Sequence, residues 1–531
     1  MDRKPAFKLN FHVFSVSSAL VLFFVLTGVL FTEKLTSAFT TVQDLIVGNF
    51  GWFYILSVAF FLLFVIWLYF SPYGKIRLGK SSDRPEYRDT TWFAMLFSAG
   101  MGIGLLFYSV AEPIIHLASP RDAPPGTIEA AIEAMNLTFF HWGLHAWAIY
   151  IIVGLSLAYF SYRHDMPLTI RSTLYPIFGD RIYGIRGNIV EVLAIFGTLF
   201  GVATSLGLGV MQINSGMDYL GLMSVSVNNQ IILIAFITLA ATTSVMSGLN
   251  RGIRILSQMN IFLGLILVIF VFVMGPSVFL LSSYVQSIGY YLQHIVFLTF
   301  QTDAFTGIEW QKMWTMFYWG WWISWSPFVG MFIARISRGR TIREFIRGVL
   351  IAPVLVTFIW IIVFGNTAIY MEIFGNGGIV QAVETSIPTA LYVLLDELPG
   401  SLLSSALATI VVMTFFVTSS DSGSLVISIL SSGGDPKPAK PLRLFWSLLQ
   451  GAVAAVLLLT GGLVGLQTAA LTTALPFCIV LILMCYSIYK GLKAETDGID
   501  TPDHEKRSPE DTSGNKAKKM VGELLGGKTN K

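Results

Sequence analysis

Apolar runs of membrane length recur along this chain, separated by short polar intervals. A bilayer core about 30 Å thick takes roughly 20 apolar residues per helix. Measured against that length, the pattern predicts about twelve spans, near residues 11–31, 51–71, 92–115, 132–161, 189–217, 229–247, 256–281, 313–335, 348–371, 400–430, 443–461 and 467–489. The expected fold class is an all-α polytopic membrane protein. Residues 283–312 and the stretch GNGGIVQAVETSIPTALYVLLDELPG read as segments on the outer side, with interfacial helices. Residues 491–531 are polar, carry both charge signs and offer few groups able to pack, so they read as a disordered tail.

The polar intervals also give an orientation. With the N-terminus in the cytoplasm, all but three of the 34 basic residues collect on the cytoplasmic side. Lys34, Arg121 and Lys312 are the exceptions. This is the asymmetry of the positive-inside rule, and it predicts that both termini are cytoplasmic and that the chain lies in the plasma (inner) membrane. The first span runs into FTEKL without a small-residue cleavage site and reads as an uncleaved helix.

Composition narrows the function. The 531 residues are 54% hydrophobic and 12% charged, which no soluble domain needs. Cys478 and Cys485 sit two turns apart on one apolar segment, an arrangement that makes neither a disulfide nor a metal site. A net charge of +3 speaks to membrane orientation and not to nucleic acid. There is no HExxH, no GxSxG with a plausible base and no GxxxxGK[ST] loop, which argues against an embedded enzyme and against ATP-driven transport. A channel would more naturally show a short repeated filter with pore helices.

Three constellations carry candidate chemistry. In the eighth span five tryptophans fall between Trp314 and Trp325, and Tyr318, Trp322 and Trp325 share a helix face at i, i+4 and i+7. Pro327 removes a backbone donor just beyond, which predicts an aromatic wall beside a helix break. In the fourth span Trp142, Trp147 and Tyr150 share one sector of a helix. A box of such rings attracts a quaternary ammonium by roughly 0.5 to 2 kcal/mol per ring when desolvated. His141 and His145 read as packing or hydrogen-bonded residues and not as proton carriers. In the third span Gly100, Gly102 and Gly104 alternate through a membrane helix, which predicts a break with freed carbonyls lining a wet cavity. Hydroxyls of the tenth span, in TFFVTSSDSGS, would join those carbonyls as oxygen ligands for a hard cation such as Na⁺. Glu112 and Asp421 read as buried acids in structural pairs.

These motifs, together with the block WTMFYWGWWISWSPFVGMFIARISRGRTIREF, resemble the betaine/choline/carnitine transporter family from about residue 10 to residue 490. The resemblance implies a twelve-helix fold of the leucine-transporter type: lead helices over 1–91, a five-helix repeat over 92–282, an external segment over 283–312 and an inverted repeat over 313–490. On that plan the repeats begin with similar breaks, at the third span and at Pro327. It implies a homotrimer in lipid and secondary active import of a quaternary ammonium solute, with no cofactor beyond Na⁺ as coupling ion. The family's aromatic box falls on Trp142, Trp147, Tyr150 and Trp322, with Trp325 and Phe317 on the route or rim and Gly100, Gly102 and Gly104 opposite. Its sodium site falls on carbonyls of Ser98, Met101 and Phe415 and on side-chain oxygens of Thr418 and Ser419. A second sodium site of sodium-coupled relatives uses two threonines one turn apart, and here they are Thr198 and Val202. Proton-coupled choline carriers tend to carry an aspartate at Gly104 and a tyrosine at Trp142, so the implied solute is glycine betaine with Na⁺, and choline is the runner-up.

Overall fold

The computed structural model describes the backbone of residues 9–100, 102–247, 250–305, 307 and 309–497, and the side chains of all of these but 97–100, 244–247 and 250–255. It divides into a large unit, Met1–Ile488, and a small one, Tyr489–Lys531. The regular elements of the described residues are helices, with one isolated antiparallel bridge between Arg77 and Thr341. Among the described residues, eight helical stretches are long and apolar enough to cross a membrane. Many of their outer side chains are apolar and fully accessible, such as Phe236 at 71% and Leu403 at 78% exposed. An apolar outer surface on this scale suits hydrocarbon and not water. The protein is a multi-pass membrane protein.

The lead helices are α1 (Phe11–Leu30) and α2 (Thr32–Phe70). The second begins nearly twenty residues before its expected start, because no proline or paired glycines interrupt the mixed stretch from Thr32 to Asn49. The third span is in two pieces, α3 (Asp89–Gly100) and α4 (Ile103–Ala118), with Gly102 in extended backbone between them. The fourth, expected as one helix, is also in two pieces, α5 (Ile128–Trp142) and α6 (Leu144–Ala158). Gly143 separates them: a Cβ there would lie 2.4 Å from the Phe139 carbonyl oxygen and 2.8 Å from the Tyr291 hydroxyl, so only glycine fits.

After the short α7 (Tyr175–Phe178) come α8 (Ile185–Tyr219), α9 (Val227–Ser247), α10 (Asn250–Met274) and α11 (Ser277–Thr299). A single turn, α12 (Glu309–Met313), precedes α13 (Thr315–Arg335). Here the structure corrects the expected break, since α13 runs unbroken through Pro327. Proline deprives the carbonyl four residues earlier of its donor. That carbonyl belongs to Ile323, and the Ser326 hydroxyl donates to it at 2.7 Å. Helix α14 (Ile342–Ile361) starts on a reciprocal Thr341–Glu344 capping box. Short helices α15 (Thr367–Phe374), α16 (Ile379–Thr385) and α17 (Ala390–Asp396) lead to α18 (Ser401–Ser431). The last element, α19 (Lys440–Thr496), is two helices joined at Gly462, whose φ of 53° suits glycine. The tail expected to be disordered from residue 491 is thus helical to Thr496, and residues 498–531 lie outside the described residues. Helix α13 packs against α6 and α8, and α18 packs against α8.

Candidate functional site

The two interrupted helices supply three walls of one buried cavity. Gly102, Gly104 and Leu105 come from the start of α4, Trp142 from the end of α5, and Ala146, Trp147 and Tyr150 from α6. Helix α13 adds Trp321, Trp322 and Trp325, and α14 adds Thr357. Ring centroids lie 5.0 Å apart for Trp142 and Trp322, 6.2 Å for Tyr150 and Trp325, and 5.6 Å for Trp147 and Tyr150. Trp321 and Trp322 stack at 4.7 Å with their planes 14° apart. Phe317 does not line the cavity; it stacks behind Trp321 at 5.5 Å. The glycines let the rings in. A Cβ on Gly104 would lie 2.3 Å from Trp321 Cη2, and one on Gly102 would lie 3.3 Å from Trp325 Cη2. The free volume between the rings is about 20 Å³, room for about one water. A group larger than a water enters only when the lining gives way.

Behind the cavity sits a carboxylate. Glu112 on α4 is fully buried. Its Oε2 accepts from Trp142 Nε1 at 2.8 Å and from the Tyr318 hydroxyl at 2.5 Å, and its Oε1 is paired with His141 Nδ1 at 2.6 Å. An isolated buried carboxylate is prohibitively costly. Three hydrogen bonds to it, worth about 1.5 to 3 kcal/mol each, explain how it is tolerated. The network fixes Trp142 at the cavity wall. Trp322 is fixed from the same segment, donating from Nε1 to the His141 carbonyl at 2.9 Å. His145 instead pairs with Thr299 Oγ1 at 2.9 Å, away from the network. Asp421 is paired with Arg443 at 3.1 Å, the structural role expected of it.

The expected ion ligands are only partly within view. Thr418 and Ser419 lie partly buried on α18, and Phe415 is buried there. Thr418 Oγ1 accepts from Asn260 Nδ2 at 3.0 Å and donates within its own helix, to Thr414 or Phe415 carbonyl oxygen. Ser98 has no described side chain, Gly100 ends α3, and Met101 lies outside the described residues. Thr198 is buried and donates to Ala194 O at 2.8 Å, and Val202 is buried on the same helix.

A family described as BCCT, betaine/carnitine/choline family transporter, matches residues 12–497. The chain belongs to this family. Its relatives include a probable glycine betaine transporter of Desulfitobacterium hafniense, 44% identical over 91% of this chain and 97% of that protein. The glycine betaine transporter OpuD of Bacillus subtilis is 46% identical over 91% of this chain and 94% of its own length. The high-affinity choline transport protein of Escherichia coli K12 is 42% identical over 92% and 73%. This betaine/carnitine/choline family member is a transporter and not an enzyme.

In this transporter the structure brings Trp142, Trp147, Tyr150, Trp322, Trp325, Gly102 and Gly104 to one cavity. It adds Trp321 and the Glu112 network, which the helix-face argument did not single out. Trp321 stands 100° around the helix from Trp322 and reaches the cavity by leaning over Gly104. The signal for the network was the spacing of Glu112 and His116, one helical turn apart.

Proposed function

We propose that this transporter imports glycine betaine by Na⁺ symport with alternating access. The observation that carries the solute is a set of unpaired donors. The Tyr150 hydroxyl and the indole N–H groups of Trp321 and Trp325 are buried in the cavity-lining residues and find no partner among the described residues. A buried donor without an acceptor costs about 1 to 3 kcal/mol. A solute with a trimethylammonium at one end and a carboxylate at the other meets both demands: ring faces for the cation, N–H and O–H groups for the anion. Choline has a cationic head but only a hydroxyl at its other end, so it answers less of that demand.

The rest of the reading follows from the chain's pattern and its family. Twelve crossings, as two lead helices and two inverted five-helix repeats, would form each protomer of a homotrimer with cytoplasmic termini. One Na⁺ would tie the carbonyls of Ser98, Met101 and Phe415 to the oxygens of Thr418 and Ser419. Binding of ion and solute is then mutually favourable. Glycine betaine is zwitterionic, so each Na⁺ carries net charge inward, worth about 2.3 kcal/mol per 100 mV. Thr198 faces no second threonine at Val202, which favours a single ion of this kind. Choline uptake, driven by protons, is the second reading, favoured by the likeness to the choline transport protein of E. coli.

The test is uptake of labelled glycine betaine into proteoliposomes under an inward Na⁺ gradient, a proton gradient or neither, with choline as competitor. Uptake that requires Na⁺ and resists choline supports betaine symport. Proton-driven uptake blocked by choline would replace it with the second reading and remove Thr418 and Ser419 from an ion site. Within the first outcome, Ser419→Ala should raise the Na⁺ concentration needed for half-maximal uptake.

A further inference from the structure

The Glu112 network contains one more member than is needed to brace two rings. His116 lies one turn along α4, is fully buried, and makes no hydrogen bond among the described residues through either ring nitrogen. Its Nε2 stands 3.5 Å from Glu112 Oε1. Its ring centroid is 4.4 Å from that of Trp314 and 5.5 Å from that of Trp310. A neutral imidazole here can turn its Nε2–H toward Glu112 but leaves Nδ1 without a partner among the described residues, in an apolar setting. An imidazolium in the same place gains a carboxylate and two indole faces. The neighbouring His141 has no such need. Held neutral, it donates from Nδ1 to Glu112, and its Nε2 accepts from the Thr315 hydroxyl at 3.0 Å. The cluster thus carries one negative charge until His116 takes a proton, and none afterwards.

We infer that Glu112, His116 and His141 form a proton-binding site whose charge is linked to occupancy of the ring-lined cavity. The step is simple: with Nε2–H facing Glu112, a proton from water adds to the Nδ1 lone pair of His116, no other bond changes, and Glu112 stays a carboxylate. The link is direct, because the carboxylate whose Oε1 faces His116 holds Trp142 and Tyr318 through its Oε2. A quaternary ammonium between those rings favours the negative cluster, so proton and solute oppose each other's binding by the same factor. The inference rests on the proposed solute class only for this last point.

The remaining titratable groups facing the cluster among the described residues are Tyr108 on α4, Tyr318 on α13 and His145 on α6, which faces His141 and pairs with Thr299. Arg121 stands over the Trp310 ring at 5.4 Å and is paired with Asp303. Acids on the other elements that pack on α4 are engaged elsewhere or exposed: Glu133 accepts from the Arg121, Asp122 and Ala123 N–H groups, Glu344 from the Thr341 N–H, Glu372 from the Ile379 and Val380 N–H groups and Asp396 from Tyr219, while Glu129 and Glu384 are exposed. Glu191 of α8 accepts from the Arg171 N–H, Asp218 of α8 is exposed, and Asp421 of α18 pairs with Arg443.

The experiment has two arms on the purified full-length protein. In the first, binding of glycine betaine and of choline is followed by tryptophan fluorescence between about pH 8 and pH 5, the window in which histidine titrates. Neither solute titrates there, so any slope belongs to the protein. The apparent Kd should rise on acidification, approaching about tenfold per pH unit for one linked proton, and His116→Gln or His116→Asn should flatten it. A flat wild-type curve, or an unchanged slope in both variants, overturns the link. In the second arm, carbon-13 NMR of labelled histidine rings without solute identifies the resonance lost in His116→Gln. Titration of that resonance in the same window supports the proton site, and its absence overturns it. Failure of both solutes to bind at any pH would instead sink the transport reading, leaving the NMR arm to decide the proton site alone.

Discussion

Gly102 and Pro327 are helix breakers in two segments that both contribute to the same cavity, and they have opposite outcomes. Proline in a helix interior costs about 3 kcal/mol and glycine about 1 kcal/mol. By intrinsic cost α13 should break and the third span should bend at most. Instead α13 is continuous and the third span is severed between α3 and α4. What decides is the local supply of partners. Ser326 covers the carbonyl that Pro327 orphans. The start of α4 is shaped by neighbours that fill the places of missing side chains, with the Trp321 ring where a Cβ of Gly104 would be. A breaker breaks a helix only where nothing nearby substitutes for what it removes.

The largest effect should come from filling that place. Gly104→Leu forces Trp321 or the α4 backbone to shift, at about 1 to 3 kcal/mol of overpacking. Solute uptake should fall by up to about two orders of magnitude at normal membrane expression. Retained uptake would mean that Trp321 turns away freely and that the glycine is there for another reason. Next is Trp322→Leu, which removes one ring face and should weaken solute binding by about 2- to 30-fold, from 0.5 to 2 kcal/mol per ring. Near-normal affinity would take Trp322 out of the box. The smallest effect sharpens the comparison most. Ser326→Ala should lower stability in detergent by about 1 kcal/mol, and this cost should vanish in a Pro327→Ala background, where the restored N–H reaches Ile323. Equal cost in both backgrounds would show that Ser326 does not cover the proline.

The same contrast explains what could be read from the residues alone. Trp322 and Trp325 on one helix face, and Trp147 and Tyr150 one turn apart, are periodic features, and periodicity survives without tertiary knowledge. The break at Gly102 was legible only with the hydroxyl-rich TFFVTSSDSGS beside it, because alternating glycines alone serve close helix packing as readily. The unbroken α13 was not, because a serine hydroxyl one residue before a proline has many possible targets. Trp321 was hidden by its angle, and the partners of Glu112 come from α5 and α13, which no local pattern brings together. Gly143 carries no local signal, because its need for glycine comes from the Phe139 carbonyl and the Tyr291 hydroxyl packed around it.

Trp321 and Trp322 offer a consequence of another kind. Two indoles 4.7 Å apart and nearly parallel couple their electronic transitions, so the pair should have a near-ultraviolet circular dichroism signature that separated tryptophans lack. Both rings line the cavity, so a ligand that changes their mutual angle should shift that band. The transporter thus carries a built-in chromophore in the wall of its candidate site.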